Sequence, residues 1–413
     1  MSLSEGTKGI KARISGLKRR RQFVPWRDSR RLAGELEELL IDIESENPDC
    51  CVGAELVASF YETDTAILGH CDDSSGYVGD VYREDARGLF LCYAAECEDK
   101  SWLANLVHEL NLDDQFGVRD SLIHCAAEYL PEPEIRSMIL RLQELSDSES
   151  DQSDRRHWYH QIESLAQQIK DAPLFEKTRR ASWGTTSTAS RIDIAEAYFE
   201  SGDPQTALSW LQRISEEEAF QENERDELYL KVFGQMGDHE GQSEVAWQIF
   251  RRSRSARTLD QLVAVQGEDR RDEVVEGEVL EILRDQALSY VDAAFLTEIA
   301  RFDAVGTYLV DRADKLDGDY YDRLLPIAEV MEATAHPLAA SVVYRALLES
   351  ILKKARSKIY HYAVRYLKKL DLLAGTVPDW GQIDDHKTYF DQMQAKHKRK
   401  TSFWSKYGKA RPF

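Results

Sequence analysis

A pattern that returns after 35 residues constrains this chain more than any other feature. Ala195, Tyr198, Gly202, Asp203, Trp210, Leu211 and Ile214 recur as Leu230, Phe233, Gly237, Asp238, Val245, Ala246 and Ile249. Size and polarity match at nearly every position. Gly202 and Gly237 each close a helix, because glycine tolerates the left-handed backbone that ends one. Asp203 and Asp238 cap the helices that follow, and Pro204 sits at a first turn, where its missing N–H costs little. Two short helices of this kind leave an apolar face that neither can bury alone. A neighbouring hairpin must cover it, so stacking is expected.

A period near 34 residues with this pattern is the tetratricopeptide-like signature. Two copies are clear, and helix pairs around 258–285, 290–315, 319–353 and 356–399 keep the rhythm loosely. Upstream, Ile10, Ile14 and Leu17 form one apolar stripe. Leu32, Leu36, Leu39, Leu40 and Ile43 form another, with Asp28 or Ser29 as its expected cap. Asn47-Pro48-Asp49 opens a further helix that turns Leu56, Val57, Phe60 and Tyr61 inward, and the pattern predicts helices near 80–97, 100–111, 117–129 and 133–145. No alternating β-branched run is long enough for a sheet. The predicted fold class is all-α: an α-solenoid of tetratricopeptide-like helix-turn-helix repeats, preceded by an N-terminal helical domain. Residues 146–154 read Ser-Asp-Ser-Glu-Ser-Asp-Gln-Ser-Asp, without an apolar anchor, and make the expected boundary. The expected domains are therefore 1–145, an acidic and polar linker with a helix over 146–190, and a repeat domain over 191–413.

The net charge of −21 is unevenly spread: residues 1–31 carry ten Lys/Arg against two acids, and residues 396–413 carry seven Lys/Arg and no acid. The body between them is strongly acidic, which argues against nucleic-acid binding along it. No apolar run approaches the ~18 residues of a membrane helix, and no apolar core follows the N-terminal charges, so neither a membrane segment nor a secretory signal is expected. The six cysteines all precede residue 126. They read as buried thiols packing like small apolar side chains, and the expected location is cytoplasmic and reducing.

Four segments carry a family resemblance. They are Arg20-Arg21-Gln22-Phe23-Val24-Pro25-Trp26; Asp72-Asp73-Ser74-Ser75-Gly76 with Val78-Gly79-Asp80; Ala355-Arg356-Ser357-Lys358 running into Tyr366-Leu367; and His397-Lys398-Arg399-Lys400-Thr401-Ser402-Phe403-Trp404. With them, the chain resembles a bacterial family of unknown function over nearly its whole length, a resemblance that implies no activity. The second half also resembles the helical region that follows SWIM zinc fingers. The finger itself is missing, with no Cys-x-Cys and no later Cys-x-His, so its zinc and DNA binding do not carry over.

Motifs that would bring chemistry are absent: no nucleophile elbow, no phosphate-binding glycine loop, no zincin pair. His157-x-x-His160 places two imidazoles on one helical face, expected to be a solvated one. Asp72, Asp73, Ser74, Ser75 and Asp80 form a possible loop site for a cation, but they lack the calcium-loop pattern, and a capped turn is the expected role. Lys18, Arg19, Arg20 and Arg21 precede Phe23 and Trp26, while Lys398, Arg399 and Lys400 precede Phe403 and Trp404. Cations beside aromatics can clamp phosphates and stack bases. They can equally dock a terminal segment on an acidic neighbour, with the aromatics as plugs, and docking is the preferred reading. The expected function is a non-enzymatic scaffold whose helical groove takes an unknown protein or peptide, with no cofactor and no metal. Nucleic-acid contact through the basic ends is the alternative, and an enzyme with a hidden site in the N-terminal domain is the weaker one.

Overall fold

The structure, a computed structural model, describes residues 5–184, 187–215 and 218–409. The chain is all-helical over these residues. It divides into two compact units, one ending at Met236 and one beginning at Gly237.

The first unit contains α1 (Glu5–Lys18), α2 (Trp26–Ser45), α3 (Cys50–Tyr61), α4 (Asp64–Leu68), α5 (Tyr77–Asp80), α6 (Arg87–Glu96), α7 (Lys100–Leu112), α8 (Asp120–Ile123), α9 (Glu132–Ser148), α10 (Gln152–Gln168), α11 (Ala172–Ser182), α12 (Thr188–Glu200), α13 (Pro204–Leu211) and α14 (Glu222–Met236). The predicted stripe of α2 is buried to the last residue: Leu32, Leu36, Leu39, Leu40 and Ile43 are all at most 5% exposed. At roughly 1.5–3 kcal/mol per buried aliphatic side chain, that face fixes α2 against α1, α3 and α5. The helix starts earlier than expected, at Trp26 behind Pro25, and the Ser29 hydroxyl donates back to the Trp26 carbonyl instead of capping the helix. Asp49 caps α3 by accepting from the Cys51 amide. Between α5 and α6 the helix continues through a widened turn, Val81–Ala86. The Tyr82 carbonyl in that turn accepts from the Tyr61 hydroxyl at 2.7 Å, and the Tyr82 hydroxyl lies 2.6 Å from that of Thr63.

The helix expected over 117–129 is instead a loop, the single turn α8 and a tight turn at Ala126–Glu128. Asp114 gathers the amides of Phe116, Gly117 and Arg119, which bends the chain. Arg119 then reaches inward as a two-pronged donor to Asp64, at 2.8 and 2.6 Å, and to the Leu110 carbonyl.

One correction concerns the cysteines. Cys51, in the first turn of α3, and Cys97, at the end of α6, are bonded as a disulfide, their Cα atoms 5.0 Å apart. The two helices pack side by side, which brings these ends within bridging reach. Cys125 is buried as expected, whereas Cys92 is exposed and Cys50 and Cys71 are half-buried.

The acidic run at 146–154 forms the end of α9, a short turn, and the start of α10, where Asp151 caps the new helix through the Ser153 and Asp154 amides. α9 packs on α10 and α10 on α11, so these residues lie inside the first unit, and contacts thin out at 236/237 instead. From α10 to α14 each helix packs on the next, over a core that includes Phe175, Ile194, Trp210, Leu211 and Val232. Gly202 has φ +88° and Asp203 accepts from the Thr206 amide, the arrangement its sequence predicts.

The second unit contains α15 (His239–Arg252), α16 (Ala256–Gln266), α17 (Arg271–Arg284), α18 (Tyr290–Glu298), α19 (Phe302–Asp311), α20 (Tyr321–Ala333), α21 (Pro337–Lys354), α22 (Tyr360–Leu373), α23 (His386–His397) and α24 (Thr401–Lys409). Gly237, at φ +69°, and the Asp238 cap open this unit in the predicted manner. α21 is its central helix, with apolar residues from Ala339 to Leu352 buried between α19, α20 and α22. Arg312, only 2% exposed, donates to the Asp285 and Ala287 carbonyls just beyond the end of α17 and to the Tyr308 carbonyl in α19. No helix among the described residues is long and apolar enough to cross a membrane.

Candidate functional site

In the first unit, α10, α11 and α12 leave a polar cleft between them. His160, Glu163 and Gln167 recur three and four residues apart, which sets them on one face of α10. The opposite face of that helix buries Ile162, Leu165 and Ala166. Phe175 and Arg179 come from α11, Asp193 and Glu196 from α12, and His124 from the turn after α8. Together they line a cavity of about 330 Å³.

Arg179 organises the cleft. One terminal nitrogen, Nη2, stands 3.2 Å from Glu163 Oε2 and 3.2 Å from Asp193 Oδ2, so a single cation serves two carboxylates. Its guanidinium lies over the Phe175 ring, 5.2 Å from the centroid. The Ser182 hydroxyl donates to Glu163 Oε1 at 2.8 Å. Glu163 is buried, with a side chain 3% exposed. Its contact with Arg179 is ionic: Glu163 Oε2 and Arg179 Nε are both buried and have no hydrogen-bond partner. The rings of His124 and His160 meet edge to face with centroids 5.5 Å apart.

All three carboxylates hold their protons more tightly than ordinary ones. Burial raises the pKa of Glu163, with Arg179 and Ser182 pulling it down. Burial likewise raises Asp193, against Arg179. Burial and then the neighbouring Glu200 raise Glu196, with Lys231 opposing. Burial lowers the His124 pKa, and His160 adds to this. Arg179 pairs with two of the three carboxylates and Glu196 has no ion-pair partner among the described residues, so negative groups outnumber the cation lining the cleft. Among the described residues, no group of three or more His, Cys, Asp or Glu has the geometry to hold a metal ion.

The residues singled out from sequence lie elsewhere. Lys18 pairs with Glu62, Arg20 stands 3.5 Å from Glu35, and Arg21 donates to the Lys18 and Arg20 carbonyls. The Arg19 side chain has no partner among the described residues. In the second unit, Lys398, Arg399 and Lys400 have no ion-pair partner among the described residues, while Lys396 and His397 both reach Glu349. Residues 410–413 of that basic end lie outside the described residues. Phe403 is fully buried against Tyr360, whereas Phe23 and Trp26 are 61% and 56% exposed, so the expected aromatic plug is missing at the N-terminal end.

In the loop, Asp73 accepts from the Val78 and Gly79 amides at 3.0 and 2.8 Å. Asp72 accepts from the Ser74 amide and hydroxyl. Ser75 Oγ lies 3.4 Å from Ser29 Oγ, and Asp80 lies 3.9 Å from Arg83. These oxygens serve the backbone and close neighbours.

The expectation of a solvated face for His157 and His160 holds for His160, which is exposed, and only in part for His157, which is half-buried. His157 Nε2 is 2.9 Å from Gln161 and 3.9 Å from Asp120, within a buried network that includes Asn111. His160 stands at the cleft beside Glu163. Sequence reasoning missed the cleft because most of it lies in the stretch read as a linker, and because carboxylates are too numerous to rank. The spacing His160, Glu163, Gln167, opposite the apolar face of Ile162, Leu165 and Ala166, was the available signal.

No curated protein and no solved structure matches the chain. A family model, described as a family of unknown function (DUF6880), matches residues 2–406, and the chain belongs to that family.

Proposed function

We propose that this chain is a non-enzymatic interaction scaffold, a solenoid of tetratricopeptide-like hairpins, whose α10–α12 cleft grips a basic side chain of a protein or peptide partner. The observation that carries the reading is the under-compensated cleft. Glu163 and Asp193 share the Arg179 guanidinium, Glu196 has no ion-pair partner among the described residues, and the buried Glu163 Oε2 accepts no hydrogen bond. A lysine ammonium or arginine guanidinium entering between α10 and α12 would meet Glu196 and Asp193 and bring donors to a site short of them. The helix-on-helix order from α10 to α14, with glycine-closed and aspartate-capped turns, supports the repeat reading.

Calorimetric titration of the full chain with short Lys- and Arg-rich peptides tests the proposal. The expected result is saturable binding that weakens with salt and falls at least tenfold in Glu196→Gln. Absence of binding at low salt, or equal affinity in the variant, overturns it.

A further inference from the structure

Two of the sequence segments that carry the family resemblance meet on one surface of the first unit, apart from the cleft. The Val24 amide donates to the His70 carbonyl at 2.8 Å, and the Asp72 amide donates to the Val24 carbonyl at 2.9 Å. This short parallel bridge pins residues 23–26 beside the turn that opens α5. Both flanking rings of that bridged segment stay in solvent, Phe23 at 61% and Trp26 at 56%, and Tyr77 at the start of α5 is 46% exposed. Arg30, one turn after Trp26 on the same face of α2, lies over the Tyr77 ring at 5.7 Å. Arg19, Arg27 and Arg30 have no carboxylate partner among the described residues, while Arg20 and Arg31 share Glu35. The nearby acids keep their charge but hold it against local partners. Asp72 and Asp73 are occupied by amides and by Ser74, Asp80 lies near Arg83, and Asp28 sits in the first turn of α2, where it favours the helix end.

We infer that this rim binds single-stranded nucleic acid, with Phe23, Trp26 and Tyr77 stacking on bases and Arg19, Arg27 and Arg30 taking the phosphates. Exposed aromatics interleaved with unpaired guanidiniums suit a ligand that carries both flat rings and regularly spaced anions. A duplex keeps its base faces stacked inside and offers nothing to the three rings. An acidic peptide would satisfy the cations and leave the rings in water.

The test is fluorescence anisotropy of a labelled oligothymidylate with the full chain, alongside polyglutamate and vesicles containing phosphatidylserine. Expected is binding to the oligonucleotide that weakens as salt rises. Trp26→Ala and Phe23→Ala should each lower affinity about tenfold without changing the salt slope. Arg27→Ala with Arg30→Ala should flatten the slope by about 0.7 per guanidinium removed. All four side chains are exposed, so thermal unfolding checks that each variant keeps the fold. Absence of oligonucleotide binding at low salt overturns the inference. So does equal affinity for polyglutamate, insensitivity to both ring deletions, or binding to the vesicles alone.

Discussion

Asp64 and Arg119 are withdrawn almost wholly from water, with side chains 0% and 4% exposed, yet each keeps its charge partner in a paired geometry. Removing one partner leaves the other buried and uncompensated, which costs about 3–5 kcal/mol. Arg119→Met is therefore expected to lower stability by that amount in urea unfolding, and the double variant Asp64→Leu/Arg119→Met to recover a large part of it. The cleft carboxylates behave in the opposite sense. Glu163, Asp193 and Glu196 have raised pKa values, so the folded chain binds protons that the unfolded chain has released. Their contribution to stability is then lost as pH rises from the ordinary carboxylate values, 3.8 for Asp and 4.5 for Glu, through the raised ones. Glu196→Gln is expected to leave the melting temperature unchanged or slightly higher at neutral pH while weakening peptide binding. In the wild type, peptide affinity should rise across the same pH window, as the carboxylates ionise. A flat affinity profile there would separate the cleft from the binding. None of this pairing was readable from the sequence, because 31% of its residues are charged and spacing along the chain does not say which of them meet.

At the level of elements, the ends of helices were more legible than their interiors. Gly202 and Asp203 were recognisable as a helix stop and a cap because each does its work within a few residues. Gly202 sits at φ +88° with open space around its Cα, so Gly202→Ala costs only the backbone strain of the left-handed region, about 1–2 kcal/mol, and chemical denaturation measures it. The apolar stripe of α2 was legible for the same local reason. The segment 117–129 was not, because its course is set by Asp114 collecting three amides and by Arg119 reaching Asp64, a partner 55 residues away. The widened turn at Val81–Ala86 is likewise tied to tertiary partners of Tyr82. Asp73 shows how a motif can mislead. Its acid-rich loop suggests a cation, whereas both its oxygens face amides of α5. Asp73→Ala is expected to cost about 1 kcal/mol of stability, the usual worth of a helix cap, and to leave the protein's response to added calcium unchanged.

For the whole molecule, composition and packing divide the chain differently. The acidic run at 146–154 lacks apolar residues and so marks a loop, but α9 and α10 on either side of it bury their faces against each other and keep it inside one unit. The uneven charge read from the sequence matters more. The first unit carries an acidic cleft between α10 and α12 and a cationic, aromatic rim on α2 and α5, to which we assign ligands of opposite chemistry. Ion pairs that are local, such as Arg20 with Glu35 and Arg179 with Glu163, keep the two fields from cancelling one another. The two surfaces share no residue, so they are expected to act independently, and reciprocal variants can reveal it. Glu196→Gln is expected to weaken the basic peptide and leave oligothymidylate affinity within twofold, whereas Trp26→Ala should weaken the oligonucleotide and leave the peptide within twofold. Both affinities measured on both variants form a square. Loss of both ligands in either variant would mean that one surface had been mistaken for two, or that the substitution had disturbed the fold, and the melting temperature of that variant tells these apart.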